Sequence, residues 1–114
     1  MKVYTSYYAL NASHPRAVGI SISMPKGVTI RQIKALAPDW ETLQKYKQTN
    51  DWDAYTHEYL DKLNKLGIEN ITRLIHDGDV LLCYEKPPKN CHRHLLADWL
   101  RNYGIEVEEI ERSS

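Results

Sequence analysis

The chain has 114 residues, with 15 basic and 15 acidic side chains and a formal net charge of zero. This length predicts one compact domain over residues 1–114, and the zero net charge argues against a protein that coats polyanions. Two cysteines are too few for a disulfide scaffold, and no apolar run approaches the roughly 20 residues that span a bilayer. We therefore expect a reduced, cytoplasmic protein with no signal peptide and no membrane segment.

Two strands are predicted in the N-terminal third. Residues Lys2–Ala9 are rich in Val, Thr and Tyr, and Ala17–Ser23 alternates apolar with small side chains. The sequence Met24-Pro25-Lys26-Gly27 ends the second strand, because proline has no amide hydrogen for a sheet. A loop with a short helix near Thr29–Leu36 is expected to follow.

Three helices are predicted in the middle of the chain. Asp39 is a suitable cap for a helix from Trp40 to about Gln48, and Thr49 or Asn50 caps a second helix. Large apolar side chains recur every three or four residues along the second helix, which Gly67 ends. These side chains are Trp52, Tyr55, Tyr59, Leu60, Leu63 and Leu66. A third, short helix is expected over residues 68–75.

The C-terminal part predicts a strand, a helix and a second strand. The strands are Asp79–Tyr84 and Ile105–Ile110, and the helix begins at Asn90 or Cys91 and ends at Gly104. Such a βαβ unit requires parallel pairing. The predicted fold is therefore α/β: a three-layer-like domain with a mostly parallel sheet of about four strands.

The carboxyl ends of the predicted strands are expected to lie near the helix start at Cys91. In open parallel sheets, ligands bind beyond these ends. Ser6, Tyr7, Ser23 and Cys83 occupy such positions. We interpret them as ligand-binding residues, and the ring of Tyr7 as a surface on which a base stacks.

The helix start Cys91-His92-Arg93 is the strongest candidate for chemistry. A helix N-terminus carries about half a positive charge, which attracts anions and favours the thiolate form of a cysteine. We predict Cys91 as a nucleophile or redox thiol, with Glu85 or His92 as its acid or base. Arg93 and Lys86 are predicted to hold a phosphate or carboxylate group.

Zinc binding is an alternative, because Cys83, Cys91, His92 and His94 offer soft ligands, with His76 as a further one. Seven residues separate the two cysteines, a spacing that fits no compact zinc knuckle. On one helix, His92 and His94 would point roughly 200° apart. The interpretation that we favour therefore has no metal ligand and no cofactor.

Other uses of the cysteines depend on spacing as well. A disulfide between Cys83 and Cys91 requires their Cα atoms to lie within about 7 Å. A phosphatase-like or rhodanese-like anion loop requires an arginine six positions after the cysteine. Arg93 follows Cys83 by ten positions and Cys91 by two, so such a loop is not predicted.

Charge is segregated along the chain, which suggests a second function. Five basic residues precede the first acid, Asp39, and four glutamates lie in the last ten residues. The basic residues are Lys2, Arg16, Lys26, Arg31 and Lys34. Together with Lys86, Lys89 and Arg93 they would form the anion-facing surface of a non-catalytic module that binds nucleic acid or protein. The favoured partner is a phosphate-bearing small molecule or nucleotide; oligomeric state and catalysis stay open.

Two motifs resemble the family catalogued as domain of unknown function 488 (DUF488). They are Leu82-Cys83-Tyr84-Glu85-Lys86-Pro87 and the run Cys-His-Arg-His-Leu-Leu-Ala-Asp-Trp-Leu over residues 91–100. Further stretches resemble a small, partly phage-borne bacterial branch: Tyr4-Thr5-Ser6-Tyr7-Tyr8-Ala9, Ile20-Ser21-Ile22-Ser23, Leu36-Ala37-Pro38-Asp39-Trp40, and Tyr46-Lys47 leading to Trp52-Asp53-Ala54-Tyr55.

The family motif pairs Cys-x-Glu at a strand end with Cys-His-Arg at a helix start. In this sequence it corresponds to Cys83, Glu85, Cys91, His92 and Arg93. The chain differs from the broader family at residues 21–23, where Ser-Ile-Ser replaces a Thr-Ile-Gly-like run that precedes Asp-x-Arg. The resemblance implies an α/β fold and this site, and it implies no particular reaction.

Overall fold

A five-stranded sheet forms the centre of the computed structural model, which describes residues 1–86 and 89–112. The strands are β1 (Lys2–Tyr7), β2 (Ala17–Gly19), β3 (Arg31–Gln32), β4 (Val80–Cys83) and β5 (Glu106–Glu109), in the order β3-β2-β4-β1-β5. All four described pairings are parallel, so the strands share one carboxyl end of the sheet. The α/β class is confirmed, with five strands instead of about four. The predicted Pro87-Pro88 loop lies outside the described residues.

Helices cover the two faces of the sheet unequally. The helices are α1 (Tyr8–Asn11), α2 (Trp40–Thr49), α3 (Trp52–Leu66), α4 (Ile68–Leu74) and α5 (His92–Asn102), with a 3-10 turn at Lys34–Leu36. Side chains from α2 to α5 pack into the larger hydrophobic core, which takes Val3 from β1. The smaller core, on the other face, contains Tyr8, Val80 and Leu82. The main layer of helices therefore lies on one side.

The second strand is shorter than predicted, since β2 ends at Gly19 instead of Ser23. Beyond Gly19, one more backbone hydrogen bond joins the Ile20 amide to the Leu82 carbonyl at 2.9 Å, and side-chain hydrogen bonds then hold the chain. Gln32 Nε2 donates to the carbonyl oxygens of Ser21 and Ile22, and the Ser21 hydroxyl donates to the Ser23 carbonyl. The chain therefore leaves the sheet at the position where a ligand site was predicted.

The predicted helix near Thr29–Leu36 is wrong over most of its length. Arg31 and Gln32 instead form strand β3 beside β2, and the helical part is limited to the 3-10 turn. The Ile33 amide donates to the Gly19 carbonyl at 2.8 Å, and the Arg31 guanidinium contacts the Asp79 carboxylate at 2.9 Å. Pairing with β2 and the ion pair keep this segment extended, although its sequence pattern predicts a helix.

The other boundaries agree with the prediction to within about two residues. The first strand ends at Tyr7 because Tyr8–Asn11 turns into α1. The N-cap of α3 is Asp51, whose carboxylate accepts from the Ala54 amide, instead of Thr49 or Asn50. In the C-terminal βαβ unit, α5 connects β4 to β5 with β1 between them. This crossover brings the acidic end of the chain beside its basic start.

Basic residues of the N-terminal third are paired with acids in the fold. The Lys2 ammonium lies 3.1 Å from carboxylate oxygens of Glu106 and Glu108, because β1 pairs with β5. Arg16 and Arg31 both approach the buried Asp79 carboxylate, at 3.6 and 2.9 Å. Three of the five predicted surface cations thus have acidic partners.

Within the described residues, no helix has both the length and the apolar composition needed to cross a bilayer. The cytoplasmic location stays a prediction.

Replacing Gly19 with alanine is expected to destabilise the fold. A Cβ atom there would lie 2.7 Å from the Tyr8 hydroxyl and 2.9 Å from the Met24 sulfur. The Tyr8 hydroxyl is held by the Ser21 hydroxyl at 2.5 Å, so it cannot move freely. We expect Gly19→Ala to lower the free energy of unfolding by about 1–3 kcal/mol, measured by urea titration.

The double variant Gly19→Ala/Tyr8→Phe tests the cause. Removing the hydroxyl relieves the contact, so Gly19→Ala should cost less in the Tyr8→Phe background than in the wild type. An equal cost in both backgrounds would show that this contact is not the reason.

Candidate functional site

A cavity of about 400 Å³ opens beyond the carboxyl ends of β2 and β4. Segments that follow these two strands line it, together with residues of α2 and α3 and the start of α5. The site therefore lies where ligands bind in open parallel sheets. Its volume is typical of a small-molecule site, since such pockets measure roughly 300–1,000 Å³.

The two cysteines lie on the wall of this cavity and are joined by a disulfide. Cys83 is the last residue of β4, and Cys91 is the N-cap residue of α5. Their Cα atoms are 7.3 Å apart, slightly beyond the limit of about 7 Å that we expected for a bond. Both side chains are almost fully buried, at 1% and 4% exposure. A strand end and a helix start thus bring together the only two thiols of the chain.

Arg93 lies inside the protein next to the disulfide and is 0% exposed. Its Nε and Nη2 atoms donate to the Glu109 carboxylate, at 3.1 and 2.8 Å. Its Nη1 atom donates to Cys83 Sγ at 3.0 Å and to the Glu85 carbonyl oxygen. The Tyr7 ring lies 5.6 Å from the guanidinium carbon. Arg93 therefore places a positive charge beside Cys83 Sγ, where it would stabilise a thiolate once the disulfide is reduced.

Glu109 is fixed as well. The Thr5 hydroxyl donates to its carboxylate at 2.6 Å, so β1 and β5 together orient the acid that holds Arg93. The predicted role of Arg93 in holding an anion stays a prediction, because the guanidinium hydrogen-bonds groups of the protein and is not among the described residues that line the cavity.

His92 is buried beside Cys91. Its Nε2 atom donates to the Ile20 carbonyl oxygen at 2.5 Å, and its Nδ1 atom lies 3.8 Å from Cys91 Sγ. The hydrogen bond to Ile20 puts the proton on Nε2 and leaves the Nδ1 lone pair toward the sulfur. Burial lowers the pKa of His92 to about 4, so the imidazole is neutral near pH 7. It can therefore accept a proton or act as a ligand.

Aromatic rings form another part of the cavity wall. Tyr46, Trp52 and Tyr55 line it, and the rings of Trp52 and Tyr55 stack with centroids 4.7 Å apart. The Tyr46 ring lies 5.2 Å from Tyr55. Burial raises the pKa of Tyr55, so its hydroxyl stays protonated. Tyr59, further along α3, packs its ring against the His92 ring at 5.4 Å.

The structure brings five of the predicted site residues to the cavity and leaves four elsewhere. Cys83, Glu85, Cys91, His92 and Ser23 line it. Arg93 contacts two of its lining residues, Cys83 and Glu85, without lining it, and Tyr7 lies against Arg93. Ser6 is buried and hydrogen-bonds Ile110 and Asn11, and Lys86 is exposed outside the described lining. His94 lies apart from the cluster of Cys83, Cys91 and His92.

Sequence reasoning missed several lining residues. These are Ser21, Tyr46, Lys47, Trp52, Tyr55, Tyr84 and Asn90. Trp52 and Tyr55 were interpreted as core residues because they share the apolar face of α3. They do pack against the core, and the cavity lies at the N-terminal end of the same face. The signal available in the sequence was the clustering of Tyr46, Trp52 and Tyr55 around the start of α3.

Removing the Arg93 charge is expected to destabilise the protein strongly. Arg93→Met leaves a partly buried carboxylate, 19% exposed, and the Glu85 carbonyl without their donor. We expect the free energy of unfolding to fall by about 3–5 kcal/mol in urea titrations of the disulfide-bonded protein.

Two controls accompany this measurement. Adding Glu109→Gln to Arg93→Met should restore part of the loss, because no unpaired charge remains. Lys65→Met removes an ion pair of exposed side chains with Asp61 and should produce no measurable change. If Arg93→Met alone lowers the free energy of unfolding only slightly, the central role that we assign to Arg93 is wrong.

A comparison with protein-family models supports this picture of the motif. Residues 7–104 match the model DUF488-N3a, which is described as the active DUF488-N3 subclade. Neither the curated proteins nor the solved structures gave a match to the chain. Because the matched residues run from the end of β1 past the end of α5, they include the cysteine pair, His92 and Arg93. The chain belongs to the DUF488 family, in the subclade that this model describes.

Proposed function

We propose that this protein is a small enzyme that binds a nucleotide-like molecule and acts on it through the thiols of Cys83 and Cys91. The observation that carries this proposal is the shared cavity: the two sulfurs form part of its wall, and three aromatic rings form another part. Each sulfur also has its own polar neighbour, Arg93 for Cys83 and His92 for Cys91. The matched subclade is described as active, which agrees with a catalytic role.

The reactive form in this proposal is the reduced one. Two equivalents of a small thiol supply two electrons and two protons, break the Cys83–Cys91 bond, and leave as their own disulfide. Arg93 Nη1, at 3.0 Å, then stabilises a thiolate on Cys83. The guanidinium stays in place because Glu109 holds its other edge. Cys83 is therefore the proposed nucleophile. Cys91 closes the disulfide again only with a two-electron oxidant such as hydrogen peroxide, which takes up the two electrons and two protons and leaves as water.

His92 is the proposed proton acceptor for Cys91. Its Nδ1 atom is 3.8 Å from Cys91 Sγ, and the hydrogen bond to Ile20 fixes the required tautomer. Because burial lowers its pKa to about 4, the imidazole accepts the thiol proton in a hydrogen bond and does not hold it as an imidazolium near pH 7. Glu85, on the exposed rim of the cavity, stays a predicted acid or base toward the ligand.

The aromatic wall supports a ligand with a flat ring. Base rings stack on aromatic side chains with about 1–3 kcal/mol for each base, and Tyr46, Trp52 and Tyr55 offer such rings. Lys47 adds a positive charge to the same lining, which suits an anionic group on the ligand. A nucleotide combines both features. The nucleic-acid-binding alternative is less favoured, because Lys2, Arg16 and Arg31 are paired with acids.

Alkylation of the reduced protein tests the proposal. Iodoacetamide labelling, read out peptide by peptide by mass spectrometry, should modify Cys83 faster than free cysteine at neutral pH. Adenosine monophosphate should slow this labelling, and inorganic phosphate alone should slow it less. Trp52→Ala should weaken the protection by the nucleotide about tenfold, since a stacking surface is lost.

Trp40→Ala is the matched control. Trp40 is 59% exposed and is not among the described lining residues, so its removal should leave protection unchanged. If Cys83 is no more reactive than free cysteine, it is not the nucleophile. If the nucleotide protects the wild type and Trp52→Ala equally, the aromatic rings do not form its binding site.

A further inference from the structure

We infer that the reduced protein binds one zinc ion through Cys83 Sγ, Cys91 Sγ and His92 Nδ1. This site uses the same thiols as the proposed enzyme but does not depend on a nucleotide or on turnover. It is the one group of cysteine, histidine and acidic residues, among the described residues, whose ligand atoms converge closely enough to hold a metal ion.

The distances suit a single ion. One ligand atom from each of the three residues lies within 4.8 Å of the others. With Zn–S bonds of about 2.3 Å and Zn–N bonds of about 2.0 Å, tetrahedral ligands lie roughly 3.5–3.8 Å apart. Reduction of the disulfide frees the two sulfurs to separate to such a distance. The ion would then occupy the space between the end of β4 and the start of α5.

The imidazole is oriented as a zinc ligand should be. Histidines that bind zinc commonly donate their second ring N–H to a carbonyl or carboxylate. Here the Nε2 atom of His92 donates to the Ile20 carbonyl at 2.5 Å, which leaves Nδ1 as the ligand atom. The same hydrogen bond restrains the ring, so Nδ1 faces Cys91 Sγ without reorganisation.

With the zinc ion bound, the charges at this buried site are balanced. Two thiolates neutralise the divalent cation, and His92 adds no charge in its neutral form. Arg93 is neutralised by Glu109, at 2.8 Å, while its Nη1 donates to the Cys83 sulfur. Such a donor to a ligand atom is a common outer-shell contact in metal sites. Without a cation, two buried thiolates would repel each other.

Three protein ligands leave a fourth coordination position. All three residues line the cavity, so this position is accessible from it. Closed structural zinc sites have four protein ligands, whereas sites with an open position bind water or a substrate. His94 does not complete the set, because it is absent from the converging group. The proposed ion is therefore exposed to small ligands on the cavity side.

Metal titration under reducing conditions tests the inference. Chelator-treated, reduced protein is titrated with zinc, and with cobalt as an optical probe whose thiolate charge-transfer bands report sulfur ligands. We expect one ion per chain, retained through desalting in elemental analysis. The oxidised, disulfide-bonded protein should bind none, because neither sulfur is then a thiolate. No stoichiometric binding to the reduced wild type would overturn the site.

Variants identify the ligands. Cys83→Ser, Cys91→Ser and His92→Gln should each weaken zinc binding at least a hundredfold. His92→Gln keeps a side-chain amide that can donate to Ile20 while removing Nδ1, and His94→Gln is the matched control that should bind as the wild type does. If the zinc affinity of His92→Gln is unchanged, the His92 imidazole is not a ligand. Circular dichroism of the metal-free variants reports folding.

Two further measurements keep the result clear. If His92→Gln does not fold, the cobalt spectrum of the wild type decides: tetrahedral bands with thiolate charge transfer support the site, and an octahedral spectrum overturns it. Trp52→Ala should retain zinc while losing nucleotide protection. Failure of the metal site and failure of the proposed enzymatic ligand site are therefore distinguishable.

Discussion

The buried ion pair between Arg93 and Glu109 is the interaction on which both fold and site depend. A fully buried guanidinium is stable only when its donors have partners, and Arg93 finds them in three different segments of the chain. Glu109 comes from the last strand, the Cys83 sulfur from the end of β4, and the Glu85 carbonyl from the loop after it. The pair therefore joins the C-terminal crossover to the cysteines.

This arrangement couples stability to chemistry. The guanidinium that orders the end of β4 also places a positive charge 3.0 Å from a sulfur in the cavity wall. Because Glu109 is itself held by Thr5, the position of that charge is set by two neighbouring strands of the sheet. In the proposed enzyme, a ligand entering the cavity would meet a sulfur whose electrostatic surroundings are fixed in advance, which is the condition for efficient preorganised chemistry.

The sequence was sufficient for the α/β class and for the window that carries the thiols. It was insufficient for the direction in which Arg93 points. At the second residue of a helix, a long side chain can turn to solvent or inward, and the decisive partner is an acid sixteen positions later that looks like part of an acidic tail. Only the pairing of β5 with β1 brings this acid inside.

The helical pattern of the sequence also could not predict how the side chains of Cys91 and His92 are placed relative to each other. The angle of roughly 200° between His92 and His94 holds for residues within a helix. Cys91 precedes the helix, with extended φ and ψ of −147° and 143°, so its side chain does not follow the helical rotation. Neighbouring residues can then face the same point, which helical rotation alone does not predict.

The two outermost strands of the sheet have a consequence for the behaviour of the protein in concentrated solution. Strand β3 has two residues, and β5 reads Glu-Val-Glu-Glu. A short strand offers few free amide and carbonyl groups, and the exposed charged side chains of Glu106 and Glu108 hinder pairing with a further strand. Both margins of the sheet thus resist lateral addition of further strands, which protects a parallel sheet from growth into aggregates.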